Sequence, residues 1–251
     1  MIPSVVIDCF PSSVSKYGAE YAVVAIDVIR ATTSAITAVL AGRRCFPAAT
    51  LEDAHALRQK LGNAVLAGEL GGQVPPGFDL NNSPAELAEL KADERAIVLL
   101  STSGTQLMCL AAAHEAAYIA SLRNYRAVAG AIAGRYEKVA IIGAGSRNEF
   151  REEDQMCCAW IAEELIQCGY VSENSSTSDM VRRWAGASVE ACLISNSVQY
   201  LRRTGQLADL DFVLTHINDV ESAFIMSNGE VVAADAVAYL RNTPQYEQVA
   251  A

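Results

Sequence analysis

Acidic side chains stand at three places where the chain leaves an apolar run or opens a helical pattern. Asp27 and Glu69 each follow such a run, and the acids at 152–154 open the pattern of a long helix. Carboxylate oxygens are the ligands that Mg²⁺ prefers, and a carboxylate can also take a proton from water. Each acid also has a simpler explanation, because aspartates cap turns and acids stabilise the first turn of a helix. Together they indicate metal-supported chemistry.

Arginines and hydroxyl groups lie close to these acids in the sequence. Arg30 follows Asp27 by one turn, and Arg147 follows the glycine-rich stretch 143–146. A guanidinium is a planar fork that suits phosphate, and the amides at a helix start add further donors. The hydroxyl- and glycine-bearing candidates at predicted helix starts are Thr32, Thr33, Ser103, Gly104 and Thr105. This combination predicts a site for an oxyanion beside Mg²⁺.

The size of the barrier favours a metal if the oxyanion is a phosphate ester. Hydrolysis of a phosphate monoester needs an acceleration of up to ~10²¹-fold. Arginines alone do not supply that, whereas a metal contributes several kcal/mol and can generate the nucleophile.

Short apolar runs alternate with helical patterns over the first two-thirds of the chain, and these elements must position the candidate residues. The alternation predicts an α/β fold of three layers, with a mostly parallel or mixed central sheet flanked by helices. Strands are predicted at 22–26, 44–48, 65–67, 97–100, 117–120 and 139–142, and helices at 32–41, 51–61, from 84 onward, 104–113, 123–133 and 152–168. Ligands bind beyond the carboxyl ends of the strands in such sheets. We therefore expect the polar clusters to share one pocket.

The pattern changes beyond residue 170. Helices are predicted at 176–190 and 198–203, and strands at 212–216 and 224–232, with a hairpin turn at Asn228-Gly229. The sequence does not place these elements in the sheet. The length of 251 residues fits one α/β domain spanning the whole chain.

Composition limits the classes of partner. The net charge of −10 disfavours nucleic acid and anionic membranes as partners. The chain has no apolar run of ~20 residues and no secretion-signal pattern at its start, so a cytoplasmic protein is expected. Its seven cysteines, an odd number without C-x-x-C pairs, indicate neither a disulfide framework nor a structural zinc site. The apolar share of 51% favours a homodimer.

The polar clusters together resemble the 2-phosphosulfolactate phosphatase family, enzymes of the coenzyme M route. The resemblance covers about the first 170 residues and rests on the segments 27–33, 68–69, 77–84, 101–105 and 153–154. It implies a Mg²⁺-dependent hydrolase that converts 2-phospho-3-sulfolactate into 3-sulfolactate and phosphate. Asn81, Ser101 and Ser103 depart from the residues usual in the family, as do the neighbours of the acid pair within 151–159.

The resemblance and the residues together give specific roles. Asp27, Glu69 and Asp154 are expected to bind Mg²⁺ or activate water, and Asp79 is a further candidate for acid–base work. Arg30 and Arg147 are expected to bind phosphate or sulfonate. The supporting groups are Thr32, Thr33, Ser103, Gly104 and Thr105.

Alternatives to this assignment stay open. A non-catalytic binder of small anionic metabolites would need the arginines and hydroxyl groups but not the carboxylates. A lyase or isomerase that stabilises an enolate on Mg²⁺ would need a lysine or histidine base, which the clusters lack. Either water or a carboxylate could attack phosphorus.

Overall fold

Ten strands form one sheet within residues 2–90 and 95–235, the part of the chain that the computed structural model describes. The strands are β1 Ser4–Cys9, β2 Tyr21–Ile26, β3 Cys45–Ala48, β4 Val65–Gly68, β5 Ile97–Leu100, β6 Ala117–Ala120, β7 Lys138–Gly143, β8 Val171–Ser172, β9 Phe224–Ser227 and β10 Glu230–Ala233. The helices are α1 Ala31–Leu40, α2 Leu51–Leu61, α3 Pro84–Glu89, α4 Gly104–Ala111, α5 Tyr125–Ile132, α6 Glu152–Gln167, α7 Ser175–Trp184, α8 Asn196–Arg203 and α9 Leu207–Thr215. Two 3₁₀ turns span Pro11–Lys16 and Val189–Ile194.

The sheet consists of two parallel blocks joined by a hairpin, in the order β4-β5-β3-β10-β9-β6-β2-β7-β1-β8. Strands β4, β5 and β3 form the β3 block. Strands β6, β2, β7, β1 and β8 form the β2 block. The hairpin β9–β10 pairs antiparallel with β3 on one side and with β6 on the other. The predicted α/β fold with a mostly parallel, mixed sheet is therefore confirmed.

Helices cover both faces of the sheet because successive side chains of each strand point to opposite faces. In β2, Val23 and Ala25 join the core formed with α1 and α4. Val24 and Ile26 join the core formed with α5 and α6. Both sets of side chains are fully buried. The fold thus has the three layers that the apolar runs predict.

Local signals set several helix ends as predicted. The Ser83 hydroxyl accepts a hydrogen bond from the amide of Glu86 at 3.1 Å and caps α3, whose first residue is Pro84. Gly42 and Gly62 follow α1 and α2 with φ of +76° and +80°, the left-handed conformation that glycine adopts without strain. These helices therefore end where the glycines stand.

The C-terminal part of the chain differs from the prediction in two elements. The strand predicted at 212–216 is wrong, because these residues belong to α9 and its end. Leu210 and Val213, three residues apart, are buried on one face of this helix. The helix predicted at 176–190 ends at Trp184. The hairpin at Asn228-Gly229 is confirmed, with φ of +51° and +79° at the turn.

Every helix within residues 2–90 and 95–235 is too short or too polar to span a membrane.

Candidate active site

A cavity of about 380 Å³ lies where strands of both blocks end. Asp27 follows β2, and Gly145 and Asp154 lie just beyond β7, so these three come from the β2 block. Glu69 follows β4 and Thr102 follows β5, so they come from the β3 block. The predicted metal ligands Asp27, Glu69 and Asp154 thus line one cavity.

The two blocks meet at this cavity although three antiparallel pairings separate them. Neighbouring strands are rotated by about 20–25° relative to each other. This rotation accumulates over the strands between β5 and β2. Strand ends that would point apart in a flat sheet can therefore face one space.

Gly104 allows the start of α4 to approach Asp27. A Cβ atom at this position would lie 2.0 Å from Asp27 Oδ2 and 2.6 Å from the Cβ of Ala31. No larger residue fits without moving the carboxylate or the helix. The close approach of α4 to Asp27 explains why glycine stands here.

Negative charge is crowded around Asp27. Burial raises the pKa of Asp27 to about 7, and the charge of Glu69 contributes to this rise. Burial also holds the pKa of Asp154 well above its usual range, and the charges of Asp27 and Glu153 add to the effect. The amides of Val28 and Gly145 donate to the Asp154 carboxylate at 2.8 and 3.4 Å, which opposes the rise in pKa only in part.

Glu69 is held by the loops around it. Its Oε1 accepts a hydrogen bond from the amide of Thr102 at 2.7 Å. Its Oε2 accepts bonds from the Thr102 hydroxyl at 2.9 Å and from the amide of Gly72 at 2.6 Å. These bonds fix the carboxylate at the edge of the cavity.

The acids have the chemistry of a hard-cation site without forming a closed one. No three His, Cys, Asp or Glu side chains within residues 2–90 and 95–235 stand close enough together to enclose a metal ion. The buried Oε2 of Glu153 has no hydrogen-bond partner there, and burial raises the pKa of Glu153. Burial, with mutual repulsion as a smaller cause, raises the pKa values of Asp27 and Asp154, and the charge of a divalent cation such as Mg²⁺ would favour their ionised forms. The type of donor fits Mg²⁺, which usually takes one or two carboxylates and fills its other positions with water and substrate oxygens.

Four arginines line the same cavity, and two of them are paired with acids. The buried Arg30 forms an ion pair with the buried Asp209. Its Nη1 also donates to Gln206 Oε1 at 2.5 Å, and its Nη2 donates to Asn81 Oδ1 at 3.2 Å. Arg151 pairs with Glu149 in the same way.

The other two arginines of the cavity, Arg147 and Arg203, form no ion pair or hydrogen bond within the described part of the chain. Both are exposed. They form a rim with positive charge available to a ligand.

The predicted hydroxyl groups serve mainly the local backbone. Thr32 Oγ1 donates to the carbonyl of Asp27, and Thr33 Oγ1 to that of Val28, both at 2.8 Å. Thr105 Oγ1 accepts from the amide of Ser101 at 2.8 Å. Ser103 lines the cavity, whereas Thr32, Thr33 and Thr105 do not. Direct substrate contact by these threonines stays a prediction.

Asp79 lies outside the residues that line the cavity. Its Oδ2 accepts a hydrogen bond from the amide of Leu66 at 2.9 Å and lies 3.5 Å from Nη1 of Arg58. This arrangement fastens the loop before α3 to β4. Its position gives no support to the predicted acid–base role, which stays untested.

Sequence reasoning predicted a helix at 198–203 but missed that this helix, α8, covers the cavity from the C-terminal part of the chain. α8 contributes Asn196, Ser197, Tyr200 and Arg203 to the lining. The Tyr200 hydroxyl donates to the carbonyl of Gly72 at 2.6 Å and joins α8 to the loop after Glu69. Polar residues at 196, 200 and 203 follow the helical period, but no local signal says what that face covers.

Comparison with known proteins gives a consistent result. The family model described as 2-phosphosulpholactate phosphatase matches residues 9–227. Three similar proteins, each described as a probable 2-phosphosulfolactate phosphatase, come from Deinococcus radiodurans, Carboxydothermus hydrogenoformans and Symbiobacterium thermophilum. The first is 36% identical over 197 residues, covering 74% of this chain and 80% of the relative. The second is 37% identical over 153 residues, with coverage of 61% and 63%. The third is 31% identical over 216 residues, with coverage of 83% and 92%.

Proposed function

The chain belongs to the 2-phosphosulpholactate phosphatase family, and we propose that it is a Mg²⁺-dependent phosphatase. Its proposed substrate is 2-phospho-3-sulfolactate, or a similar small anionic 2-phospho acid, and the products are 3-sulfolactate and phosphate. One observation carries the proposal beyond the family: crowded carboxylates and two arginines without an acidic partner in residues 2–90 and 95–235 line the same cavity. Such a cavity suits a cation and a polyanion together.

Asp27, Glu69 and Asp154 are the proposed metal ligands. Because no three acids of the described residues stand close enough to enclose an ion, water and substrate oxygens would have to complete its coordination. Bound Mg²⁺ would neutralise charge on the phosphoryl oxygens and lower the pKa of bound water. The hydrogen bonds from the loops to Glu69 and from Val28 to Asp154 keep two of these carboxylates in place before any ligand arrives. Such preorganisation avoids the cost of ordering the groups during the reaction.

The positively charged groups would orient the ester. Arg147, which has no acidic partner in the described residues, would bind a phosphoryl oxygen, with Ser103 as a further donor. Arg30 is fixed by Asp209 and would contribute a rigid donor rather than a mobile one. In the hydrolysis itself, a P–O bond forms to the attacking oxygen, the ester P–O bond breaks, and the departing alcohol oxygen gains a proton. Water and a carboxylate both remain candidate nucleophiles.

The setting proposed for this enzyme is the cytoplasm and the coenzyme M route, and the proposed assembly is a homodimer. The net charge of −10 supports small molecules rather than nucleic acid as partners. Light scattering of the purified protein tests the dimer directly.

The test of function is phosphate release from a panel of 2-phospho acids, with Mg²⁺ or with a chelator. We expect release with Mg²⁺, none with chelator, and a loss of about a thousandfold or more in Asp27→Asn, the order of effect of removing a catalytic carboxylate. Asp211→Asn is the control, because Asp211 is exposed on α9 and does not line the cavity. Ligand binding without release from any ester would instead favour a non-catalytic binder. Full metal-dependent activity in both Asp27→Asn and Glu69→Gln would contradict the assignment of the acids.

A further inference from the structure

Within the described residues, acids neutralise only two of the four arginines that line the cavity. Asp209 neutralises Arg30, and Glu149 neutralises Arg151. Arg147 and Arg203 line the cavity without an acidic partner in the described ranges. Arg147 lies in the loop after β7, close in sequence to Asp154, whereas Arg203 comes from α8, which carries none of the candidate metal ligands. The two free cations thus approach the cavity from different elements.

The face that α8 turns to the cavity places Arg203 there. Asn196, Tyr200 and Arg203 are spaced by four and three residues and share one side of the helix, and all three line the cavity. Val198 is buried on another side, in a cluster with Leu201 and with Leu210 of α9, and Leu201 also borders the cavity. The orientation of α8 is therefore set by its apolar side.

A second contact holds this helix at the cavity. The Tyr200 hydroxyl donates to the carbonyl of Gly72 at 2.6 Å, in the loop whose amide at Gly72 binds Glu69. The backbone that carries Arg203 is thus connected to the loop that holds one of the acids. Arg203 is a long cation on a helix with a defined position.

We infer that Arg203 determines specificity by binding the anionic group of the substrate that does not react. This inference rests on the proposed function and concerns a substrate with a sulfonate or carboxylate beside its phosphate. In the proposed function the acids and Arg147 bind the phosphate end, because a metal held by the acids must meet the phosphoryl oxygens. Arg203, on a separate element, is then available to a second anion. A guanidinium binds either oxyanion by paired hydrogen bonds.

The test compares Arg203→Gln with Arg202→Gln on three esters. Arg202 is the matched control, because it is the neighbouring exposed arginine on α8 and does not line the cavity. The esters are 2-phospho-3-sulfolactate, 2-phospholactate, which lacks the sulfonate, and the phosphate ester of 2-hydroxyethanesulfonate, which lacks the carboxylate. Thermal melts of both variants confirm that each is folded.

We expect Arg203→Gln to raise KM for 2-phospho-3-sulfolactate about tenfold and to leave kcat within about twofold, the loss of one charge-assisted contact at an exposed site. KM for the ester that lacks the anion bound by Arg203 should not change. The two truncated esters therefore identify which group Arg203 binds. Arg202→Gln should match the wild type on all three. An equal effect of Arg203→Gln on all three esters, or equal effects of the two variants, would overturn the inference.

Calorimetric binding of 3-sulfolactate and of lactate separates this inference from the proposed function. If the wild type binds 3-sulfolactate but hydrolyses no ester, the phosphatase proposal is wrong. The role of Arg203 would still require that Arg203→Gln weakens this binding about tenfold relative to Arg202→Gln. Unchanged binding in Arg203→Gln would overturn the role of Arg203. Binding of neither ligand by a wild-type protein that also releases no phosphate from any ester would overturn both proposals.

Discussion

The cavity is assembled from strand ends on one side and from the C-terminal helices α8 and α9 on the other, and the two regions carry opposite charge roles. Near the strand ends, the half-buried Asp27 and the buried Asp154 carry carboxylates with raised pKa values. On the helices, Asp209 neutralises Arg30, and Arg203, which has no acidic partner in the described residues, lines the same cavity. The strand ends thus hold the groups suited to a metal, and the helices control which arginines stay available to an anion.

This difference has a physical basis in how the two regions are held. The sheet holds the backbone of residues beside its buried strands in place, so carboxylates there can stay close together despite their repulsion. The helices are joined to the strand ends by discrete contacts, such as the Arg30–Asp209 ion pair and the Tyr200–Gly72 hydrogen bond. Substitutions that remove these contacts one at a time should show which contacts affect substrate binding and which affect the free energy of unfolding.

The largest expected effect comes from Asp209→Asn. Arg30 and Asp209 are each only 4% exposed, so the substitution leaves a buried guanidinium without its counter-charge. Removing one partner of a buried ion pair costs about 3–5 kcal/mol of unfolding free energy. Urea denaturation of Asp209→Asn beside Asp211→Asn on the same helix measures this, and the control should change by less than about 0.5 kcal/mol. Equal stability of the two variants would show that α9 does not anchor Arg30.

Gly104→Ala should disturb the strand-end region and leave α8 and α9 unchanged. The new Cβ would meet Asp27 Oδ2 at 2.0 Å, so the carboxylate or α4 must move. A displacement of about 1 Å can lower the turnover rate about 100-fold.

Gly130→Ala is the matched control for this change, because it lies in α5 with no atom within 4 Å of the added Cβ. Alanine there should be neutral or stabilise the helix by about 0.5–1 kcal/mol. Phosphate release and thermal melts of both variants test the pair. Wild-type turnover in Gly104→Ala would mean that the position of Asp27 does not matter.

Tyr200→Phe should have the smallest effect, because it removes one hydrogen bond and keeps the ring. The lost bond to the Gly72 carbonyl is expected to cost about 1 kcal/mol of unfolding free energy. The loop around Glu69 would become less ordered. We therefore expect KM to rise by a few-fold and kcat to fall by a smaller factor. Steady-state kinetics and urea denaturation measure both effects. A change in kcat alone would argue that Tyr200 acts in the chemical step.

The sequence predicted the elements of residues 21–168 well because their signals are local, but it missed the strand β1 at Ser4–Cys9. Ser83 and Pro84 mark the start of α3, and glycines end α1 and α2. The segment 212–216 was predicted incorrectly because its aromatic and branched residues favour a strand in isolation. Leu210 and Val213 instead pack on the helical period, and the His216 ring stacks on Phe212 with centroids 3.9 Å apart.

The candidate site was predictable where it depends on strand ends and not where it depends on packing between distant segments. Asp27 and Glu69 each follow a recognisable apolar run, Asp154 lies in the first turn of a predicted helix, and all three line one cavity. Asn196, Tyr200 and Arg203 lie on a helix that the sequence could identify but could not place. The pairing of Arg30 with Asp209 joins residues 179 positions apart, which no local pattern reveals.

The most direct test of the central claim is the effect of Mg²⁺ on thermal unfolding. A cation that binds only the folded protein stabilises it by about 2.7 kcal/mol at a hundredfold excess over Kd. We predict that Mg²⁺ raises Tm of the wild type and of Arg203→Gln, and that Asp27→Asn loses most of this rise. A wild-type Tm that does not change with Mg²⁺, or a rise of Tm in Asp27→Asn equal to that of the wild type, would contradict a shared cation site at the strand ends.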